Sequence, residues 1–188
     1  MPVLRLLAAA CALTLLAAPV LGLLAAACAL TLLAAPALAA PSAPAFTLRV
    51  LDGSGTVDSR AFIGKKILVV RFQASWCKVC VEEAPGVEHI YEKYKPGVEV
   101  VGVQVQDTAA DARRFLKAHG ATYPAGLDPK LTIARRFGFT GTPYTVVINK
   151  RGEMVARIHG RVGEARLARV LDPLVKPPAT RKPPTRLQ

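Results

Sequence analysis

Two cysteines separated by two residues are the part of this sequence that points most directly to chemistry. They stand in the segment Trp-Cys-Lys-Val-Cys at residues 76–80, between an apolar run over residues 67–72 and a segment with helical spacing. Cys77 would lie at a helix N-terminus, where free backbone N–H groups and the helix dipole favour a thiolate. Cys80 would lie one turn along, close enough to form a disulfide with Cys77. The pair therefore predicts a redox site in which Cys77 attacks and Cys80 resolves the mixed disulfide.

The same cysteine spacing also occurs in metal sites, so a metal function has to be weighed beside the redox function. There is no second Cys-x-x-Cys pair and no histidine pair nearby, so one chain cannot assemble a closed four-ligand zinc site. Soft thiolates do suit Cu(I), and a metallochaperone holding Cu(I) between Cys77 and Cys80 is the alternative function. We interpret His89, His119 and His159 as structural or solvated residues. No metal ligand and no cofactor is predicted.

A second feature, Gly141-Thr142-Pro143, stands directly before the strand-like run at residues 144–148. X-Pro bonds are the ones that become cis at modest cost, and a proline that opens a strand suits a specialised loop. Together with Trp-Cys-x-x-Cys, this resembles the thioredoxin superfamily. Further motifs resemble the TlpA/ResA-like branch of this superfamily: Phe46…Leu51-Asp52-Gly53, Glu83-x-Pro85, Gly102-Val103…Asp107, Tyr123-Pro124…Asp128 and Asn149-Lys150-Arg151-Gly152.

The resemblance covers about residues 46–175 and implies an α/β, thioredoxin-like fold with a central mixed sheet flanked by helices on both faces. It implies an extracytoplasmic thiol:disulfide oxidoreductase that reduces exported proteins, such as apocytochrome c or copper-centre cysteines. Its electrons would come from a membrane thiol protein. A cis Pro143 would let the Thr142 backbone face Cys77 and an extended substrate, while Trp76 would shield one side of the pair. Lys78-Val79 between the cysteines does not determine the direction of exchange.

Three charged residues are candidates for tuning the pKa of the cysteine pair. Lys78 adds positive charge beside Cys77, which favours the thiolate, unless Lys78 only faces solvent. Glu83 follows Cys80 by one helical turn, and the resemblance implies that an acid there tunes the reduction of the pair. Arg71, six residues before Cys77, departs from the family, which has an acid or a neutral amide at that position. Arg71 either pairs with Glu83, which would then stay ionised, or reaches solvent past the helix edge.

The elements that position these residues follow from apolar periodicity and turn signals. Residues 67–72 are apolar at nearly every position, as in a parallel strand buried on both faces. Thr108 has the character of a helix N-cap, and Pro85 should kink the helix that follows the cysteines. The predicted elements are an extended entry over 46–51, strands over 67–72, 98–105, 144–148 and 154–159, and helices from Cys80 to Tyr94, after Thr108, over 131–137 and over 163–174.

The first 39 residues are interpreted as a signal peptide. The segment Leu6–Pro19 recurs identically at Leu23–Pro36, and Arg5 is the only charged residue in the region. Without one copy, the region has a basic start, one apolar run and the small-x-small motif Ala-Leu-Ala that ends at Ala39, which is typical of a cleaved signal. The apolar stretch is also long enough to be an uncleaved membrane anchor. Cleavage would leave Cys77 and Cys80 as the only cysteines in an oxidising compartment.

The charge of the chain beyond Ala39 is strongly basic. It has 24 basic and 13 acidic residues, a net charge of +11. Four of these charges lie in residues 176–188 among four prolines, and this composition predicts a disordered tail. No binding motif or basic-aromatic cluster accompanies the charge, so no nucleic-acid partner is predicted. We interpret the remaining charge of the domain as a solvated surface, and weak association with anionic membranes through the N-terminal segment or the tail is the alternative. The predicted location is the periplasm or the outer face of the inner membrane.

Overall fold

The computed structural model describes residues 40–176. The predicted signal peptide, with its cleaved and uncleaved alternatives, and all but the first residue of the predicted basic tail lie outside the described residues. No helix within the described part of the chain is long and apolar enough to cross a bilayer.

A five-stranded mixed sheet forms the centre of the domain. Its strands are β3 (Ile67–Gln73), β4 (Val98–Val105), β5 (Ala125–Asp128), β6 (Tyr144–Ile148) and β7 (Met154–His159), in the spatial order β5-β4-β3-β6-β7. Strands β3, β4 and β5 are parallel, whereas β6 and β7 are antiparallel to their neighbours. The predicted α/β, thioredoxin-like fold is therefore confirmed.

Three α-helices cover this sheet: α1 (Lys78–Tyr94), α2 (Ala109–Ala118) and α3 (Glu164–Val175). The hydroxyl of Thr108 accepts a hydrogen bond from the Asp111 N–H at 3.1 Å, so Thr108 caps α2 as predicted. Pro85 lies inside α1, which continues to Tyr94. Helices α1 and α3 pack against the same side of the sheet, where Ile67 and Val69 contribute to their shared core.

The opposite side of the sheet carries a second apolar core, built around Phe72 and Phe137. A small hairpin of β1 (Thr47–Arg49) and β2 (Thr56–Asp58) adds Leu48 to this core. Gly126 on β5 lies against the Arg49 carbonyl so closely that any Cβ at residue 126 would clash. The hairpin therefore packs directly onto the backbone of β5.

Three parts of the fold differ from the sequence prediction. Strands β2 and β5 were not predicted, because each has only three or four residues and neither shows a long apolar pattern. The predicted helix over residues 131–137 is wrong in its first part, where Leu131 has a positive φ of 59°. Only Ala134–Phe137 is helical there, as a 3-10 turn that ends at Gly138. A 3-10 helix has hydrogen bonds between residues i and i+3 and is rarely longer than three or four residues, so it suits so short a segment.

Candidate active site

Cys77 and Cys80 form a disulfide at the first turn of α1. Cys77 is the N-cap residue of this helix, and its Sγ accepts a hydrogen bond from the Cys80 N–H at 3.2 Å. The strand β3 ends four residues before Cys77, so the pair lies beyond the carboxyl end of a central strand. Cys77 is 7% exposed to solvent, whereas Cys80 is only 1% exposed. A substrate sulfur approaching this end of the domain would therefore reach Cys77 before Cys80.

The loop after β4 holds the two residues that precede Cys77. Asp107 accepts hydrogen bonds from the Ser75 N–H at 2.7 Å and from the Ser75 hydroxyl at 2.8 Å. The carbonyl of Gln106 accepts a hydrogen bond from the Trp76 indole at 3.1 Å. The Trp76 side chain is nevertheless 59% exposed. Sequence reasoning did not assign Gln106 or Asp107 to the site, although β4 lies parallel to β3 and its loop must emerge at the same edge.

The loop that contains Pro143 reaches the same end of the sheet from the other side. Strand β6 runs antiparallel to β3, with Tyr144 opposite Phe72, so Pro143 comes alongside the end of β3. The Thr142–Pro143 peptide bond is cis, as expected from the sequence. The Pro143 carbonyl accepts a hydrogen bond from the Gly160 N–H at 2.8 Å. Among residues 40–176, no partner hydrogen-bonds to the backbone N–H or carbonyl of Thr142.

Arg71 is fully buried and contacts Glu83, so the solvent-facing alternative for Arg71 is wrong. Its Nη2 donates to Glu83 Oε2 at 2.8 Å, and its Nη1 donates to the Thr145 hydroxyl at 2.8 Å. The side chains of Arg71 and Glu83 are only 1% and 5% exposed. A guanidinium has donors and no acceptor, so its natural partner is an acceptor-only carboxylate. The ion pair joins the strand that leads into Cys77 to the helix that begins after it.

The second oxygen of Glu83 binds the segment that precedes α3. Glu83 Oε1 accepts hydrogen bonds from the Val162 N–H at 2.9 Å and from the Gly163 N–H at 2.6 Å. Gly163 is the N-cap residue of α3 and has a positive φ of 62°. A carboxylate at this position satisfies free N–H groups at the start of a helix and interacts favourably with its dipole. Glu83 therefore links β3, α1 and α3 in addition to lying one turn beyond Cys80.

A second buried polar contact lies next to Arg71 on the same face of the sheet. Gln73 Nε2 donates to the Tyr123 hydroxyl at 3.2 Å. Burial raises the pKa of Tyr123 to about 12, because the phenolate would be poorly solvated there. The hydrogen bond from Gln73 and the charge of Arg71 oppose this rise but do not cancel it. Tyr123 is therefore a neutral phenol at physiological pH.

The remaining charged residues near the pair lie on the surface. Lys78 is exposed and forms no ion pair within the described chain. Its placement beside Cys77 fits a role in stabilising the thiolate, and that role stays a prediction. Glu82 pairs instead with Arg161, and this hydrogen bond lowers the pKa of the Glu82 carboxyl. Glu82 is therefore a surface residue, unlike the buried Glu83 that follows it.

The three histidines lie on separate elements of the fold. His89 pairs with Glu164 at 3.1 Å across α1 and α3, and His119 packs against the Phe115 ring. His159 stacks on the Tyr144 ring with the ring centroids 4.3 Å apart. Within residues 40–176, no three His, Cys, Asp or Glu side chains come together in a group that could hold a metal ion.

Comparison with known proteins gives consistent matches over the described domain. The Redoxin family model matches residues 38–171. The chain is 33% identical over 138 residues to the thiol:disulfide interchange protein HelX of Rhodobacter capsulatus, covering 73% of this chain and 77% of HelX. It is 30% identical over 142 residues to the thiol-disulfide oxidoreductase ResA of Halalkalibacterium halodurans, covering 75% of this chain and 79% of ResA.

Solved structures show the same similarity in three dimensions. A thiol:disulfide interchange protein of the thioredoxin family from Chlorobium tepidum superposes with a TM-score of 0.67 at 25% identity, covering 73% of this chain and 97% of that one. The fold and the disulfide at the start of α1 thus define the class of this protein, which is a thiol-disulfide oxidoreductase. The chain belongs to the redoxin family, in the TlpA/ResA-like branch of the thioredoxin superfamily.

Proposed function

We propose that this enzyme reduces disulfides of exported, cysteine-containing proteins by dithiol exchange through Cys77 and Cys80. The observation that carries the proposal is the unequal access to the two sulfurs at the start of α1, where Cys77 is 7% exposed and Cys80 is 1% exposed. Exchange needs one thiolate that a substrate can reach and a second thiol that is kept from reacting with other partners. The pair has this arrangement.

The exchange proceeds in two balanced steps. The Cys77 thiolate attacks one sulfur of the substrate disulfide, so that the substrate S–S bond breaks and a mixed disulfide forms, and the other substrate sulfur leaves as a thiolate. The Cys80 thiolate then attacks the Cys77 sulfur. The mixed disulfide breaks, the Cys77–Cys80 disulfide forms, and the second substrate sulfur leaves as a thiolate. Two electrons have moved from the enzyme to the substrate, and a thiol donor must return them before the next cycle.

The loop that contains Thr142 and Pro143 is suited to bind the main chain of a substrate. The backbone N–H and carbonyl of Thr142 have no hydrogen-bond partner among residues 40–176, and Thr142 is partly exposed. An extended peptide can pair with such free backbone groups in the manner of an added strand. Trp76, exposed and held by Gln106, would cover the side of the pair that faces away from this loop. Substrate would thus lie between Thr142 and Trp76.

The proposed location of the enzyme is outside the cytoplasmic membrane, where its substrates would be exported proteins. The sequence of residues 1–39 supports export, either with cleavage after Ala39 or with retention as an anchor. Candidate substrates are apocytochrome c and the cysteines of copper centres. Electrons would come from a membrane protein that transfers thiol equivalents. In an oxidising compartment, a reductase depends on such a donor, because no reduced thiol pool surrounds it.

Single cysteine variants test the proposed mechanism. Cys80→Ser should accumulate a mixed disulfide through Cys77 when it meets a disulfide substrate, because the resolving step is lost. Cys77→Ser should be inactive and should trap nothing, as non-reducing gels and mass spectrometry of the adduct would reveal. Trapping through Cys80 in the Cys77→Ser variant would reverse the two roles. Tight Cu(I) binding by the wild type without disulfide turnover would instead favour the metallochaperone.

The direction of exchange is tested by the reduction potential of the Cys77–Cys80 couple. A reductase should have a potential closer to that of thioredoxin, about −270 mV, than to that of the oxidant DsbA, about −120 mV. The measurement is equilibration of the purified domain with defined glutathione ratios. A potential near the oxidising end would make the protein a disulfide donor, with the same two cysteines and the reverse electron flow.

A further inference from the structure

The exposed histidine at the end of β7 lies beside the Pro143 loop, which spans residues 138–143. His159 is opposite Tyr144 in the β6–β7 pairing, and its ring stacks on Tyr144 with centroids 4.3 Å apart and planes 23° from parallel. His159 Nδ1 also shares a hydrogen bond with the Thr140 hydroxyl at 3.2 Å. The exposure of His159 agrees with the interpretation of this histidine as solvated. Its hydrogen bond also reaches the loop that presents Thr142, and its ring contacts the residue that directly follows this loop.

The loop is held at its two ends by other groups. Just before it, the Phe137 carbonyl accepts a hydrogen bond from the Tyr144 hydroxyl at 2.8 Å. At its last residue, the Pro143 carbonyl accepts a hydrogen bond from the Gly160 N–H at 2.8 Å. Between these points, the bond from His159 to Thr140 is the only side-chain hydrogen bond to residues 138–143 in the described chain. Phe139 is held separately, because its N–H donates to the Ala134 carbonyl at 3.2 Å and its ring packs against Phe72. Thr140 is the residue of the loop whose side chain is held by His159.

We propose that His159 is a positioning residue for substrate, acting through Thr140 and Tyr144 to hold the Thr142 backbone where an extended peptide can pair with it. The proposal rests on the proposed exchange at Cys77 and extends it to a residue outside the cysteine helix. His159 forms no hydrogen bond with either sulfur of the pair. Its effect should accordingly depend on whether the substrate has a peptide backbone, and not on the chemistry of disulfide exchange.

Two conservative variants remove the hydrogen bond between Thr140 and His159 and keep side chains of similar size. Thr140→Val keeps the shape of the side chain and loses the hydroxyl, whereas His159→Phe keeps the stack on Tyr144 and loses Nδ1. Both residues are exposed, so neither change opens a buried cavity. Thr132→Val is the matched control, because Thr132 is also exposed and its hydroxyl makes no hydrogen bond within the described residues.

Each variant is assayed with two disulfide substrates. The first is a synthetic peptide with one disulfide in an extended segment, and the second is 5,5′-dithiobis(2-nitrobenzoate), which has no peptide backbone. Thr140→Val and His159→Phe should each raise KM for the peptide about three- to tenfold, the value of one hydrogen bond, with kcat nearly unchanged. Rates with the small disulfide should stay at the wild-type level, as should both activities of Thr132→Val.

The double variant and Cys77→Ser make the result decisive. Because the two residues act through one hydrogen bond, Thr140→Val combined with His159→Phe should raise KM no more than either change alone. Additive effects, an unchanged peptide KM, or an equal loss with both substrates would overturn the inference. An active Cys77→Ser enzyme would overturn the proposed function and this inference together. An inactive Cys77→Ser with wild-type KM in the loop variants would overturn the inference alone.

Discussion

The buried pair of Arg71 and Glu83 leads to the sharpest prediction about redox control. Glu83 lies six residues after Cys77 on α1, which corresponds to about 9 Å along the helix axis. Two unit charges at this separation interact by about 2 kcal/mol at an effective dielectric constant of 20. An uncompensated Glu83 carboxylate would therefore raise the pKa of the reduced Cys77 thiol by about one unit. Arg71, 2.8 Å from Glu83, cancels much of this effect.

Removing Arg71 and removing Glu83 should shift the pKa of the Cys77 thiol in opposite directions. Arg71→Asn leaves the carboxylate unbalanced, so the thiolate becomes less stable, the pKa of Cys77 rises and the reduction potential becomes more negative. Glu83→Gln removes the negative charge and should lower the pKa of Cys77. In the wild type, the helix N-terminus should hold this pKa below the value of about 8.5 for a free cysteine. A shift of one unit changes the potential by at most about 30 mV.

The assay is the pH dependence of the alkylation rate of reduced Cys77, together with glutathione equilibration for the potential. Glu82→Gln is the matched control, because it removes a carboxylate from the neighbouring position on α1. Glu82 is exposed and already paired with Arg161, so solvent should screen its effect on Cys77 to a small fraction of the Glu83 effect. Urea unfolding of every variant establishes which ones are folded under the assay conditions.

Stability limits how far the pair can be changed. Breaking a buried ion pair by removing one partner costs about 3–5 kcal/mol, out of a total stability of about 5–15 kcal/mol for a domain. Glu83 keeps its bonds from Val162 and Gly163 in the Arg71→Asn variant, so the cost there should be near the lower value. The double variant Arg71→Asn/Glu83→Gln removes both charges and should recover part of that loss.

Coupling between the two positions decides the interpretation. Residues in direct contact do not act additively, so the pKa shift of the double variant should differ from the combined single shifts. Additive shifts, or a Cys77 pKa that is unchanged in Arg71→Asn, would refute the claim that the ion pair sets the redox poise. The pair would then be a purely structural link between β3, α1 and α3.

Two further predictions concern alkaline stability and processing. The pKa of Tyr123 is raised to about 12 by burial, so its contribution to stability is fully present below pH 10 and is lost as the pH rises through about 12. Tyr123→Phe should therefore show a smaller drop in urea midpoint between pH 9 and pH 12 than the wild type, and an equal drop would contradict the assignment. If residues 1–39 are a cleaved signal, mass spectrometry of periplasmic protein should find a mature N-terminus at or near Ala40, whereas full-length chain confined to membranes would establish an anchor.

Local patterns were sufficient to predict most of the architecture. The strands β3, β4, β6 and β7 each have five to eight residues with strong apolar character, and the structure reproduces them within one residue. The Thr108 cap and the cis bond before Pro143 were also predicted, because each depends on one or two neighbouring residue types. The strands β2 and β5 were missed because their runs of three and four residues show no long apolar pattern. They are strands because β2 pairs with β1 in a hairpin and β5 pairs with β4, which lies 23 residues earlier in the chain.

The sequence by itself determined the chemistry of this protein, because a Cys-x-x-Cys pair at a strand-to-helix junction and a Gly-Thr-Pro before a strand are local features. The tertiary structure decided which residues surround that chemistry. Arg71 had two possible environments, and only the packing of α1 on β3 placed Glu83 against it. The hydrogen bond between Ser75 and Asp107 joins residues 32 positions apart in the chain. The contact between Thr140 and His159 joins residues 19 positions apart. Such contacts follow from strand order and register, which no local pattern contains.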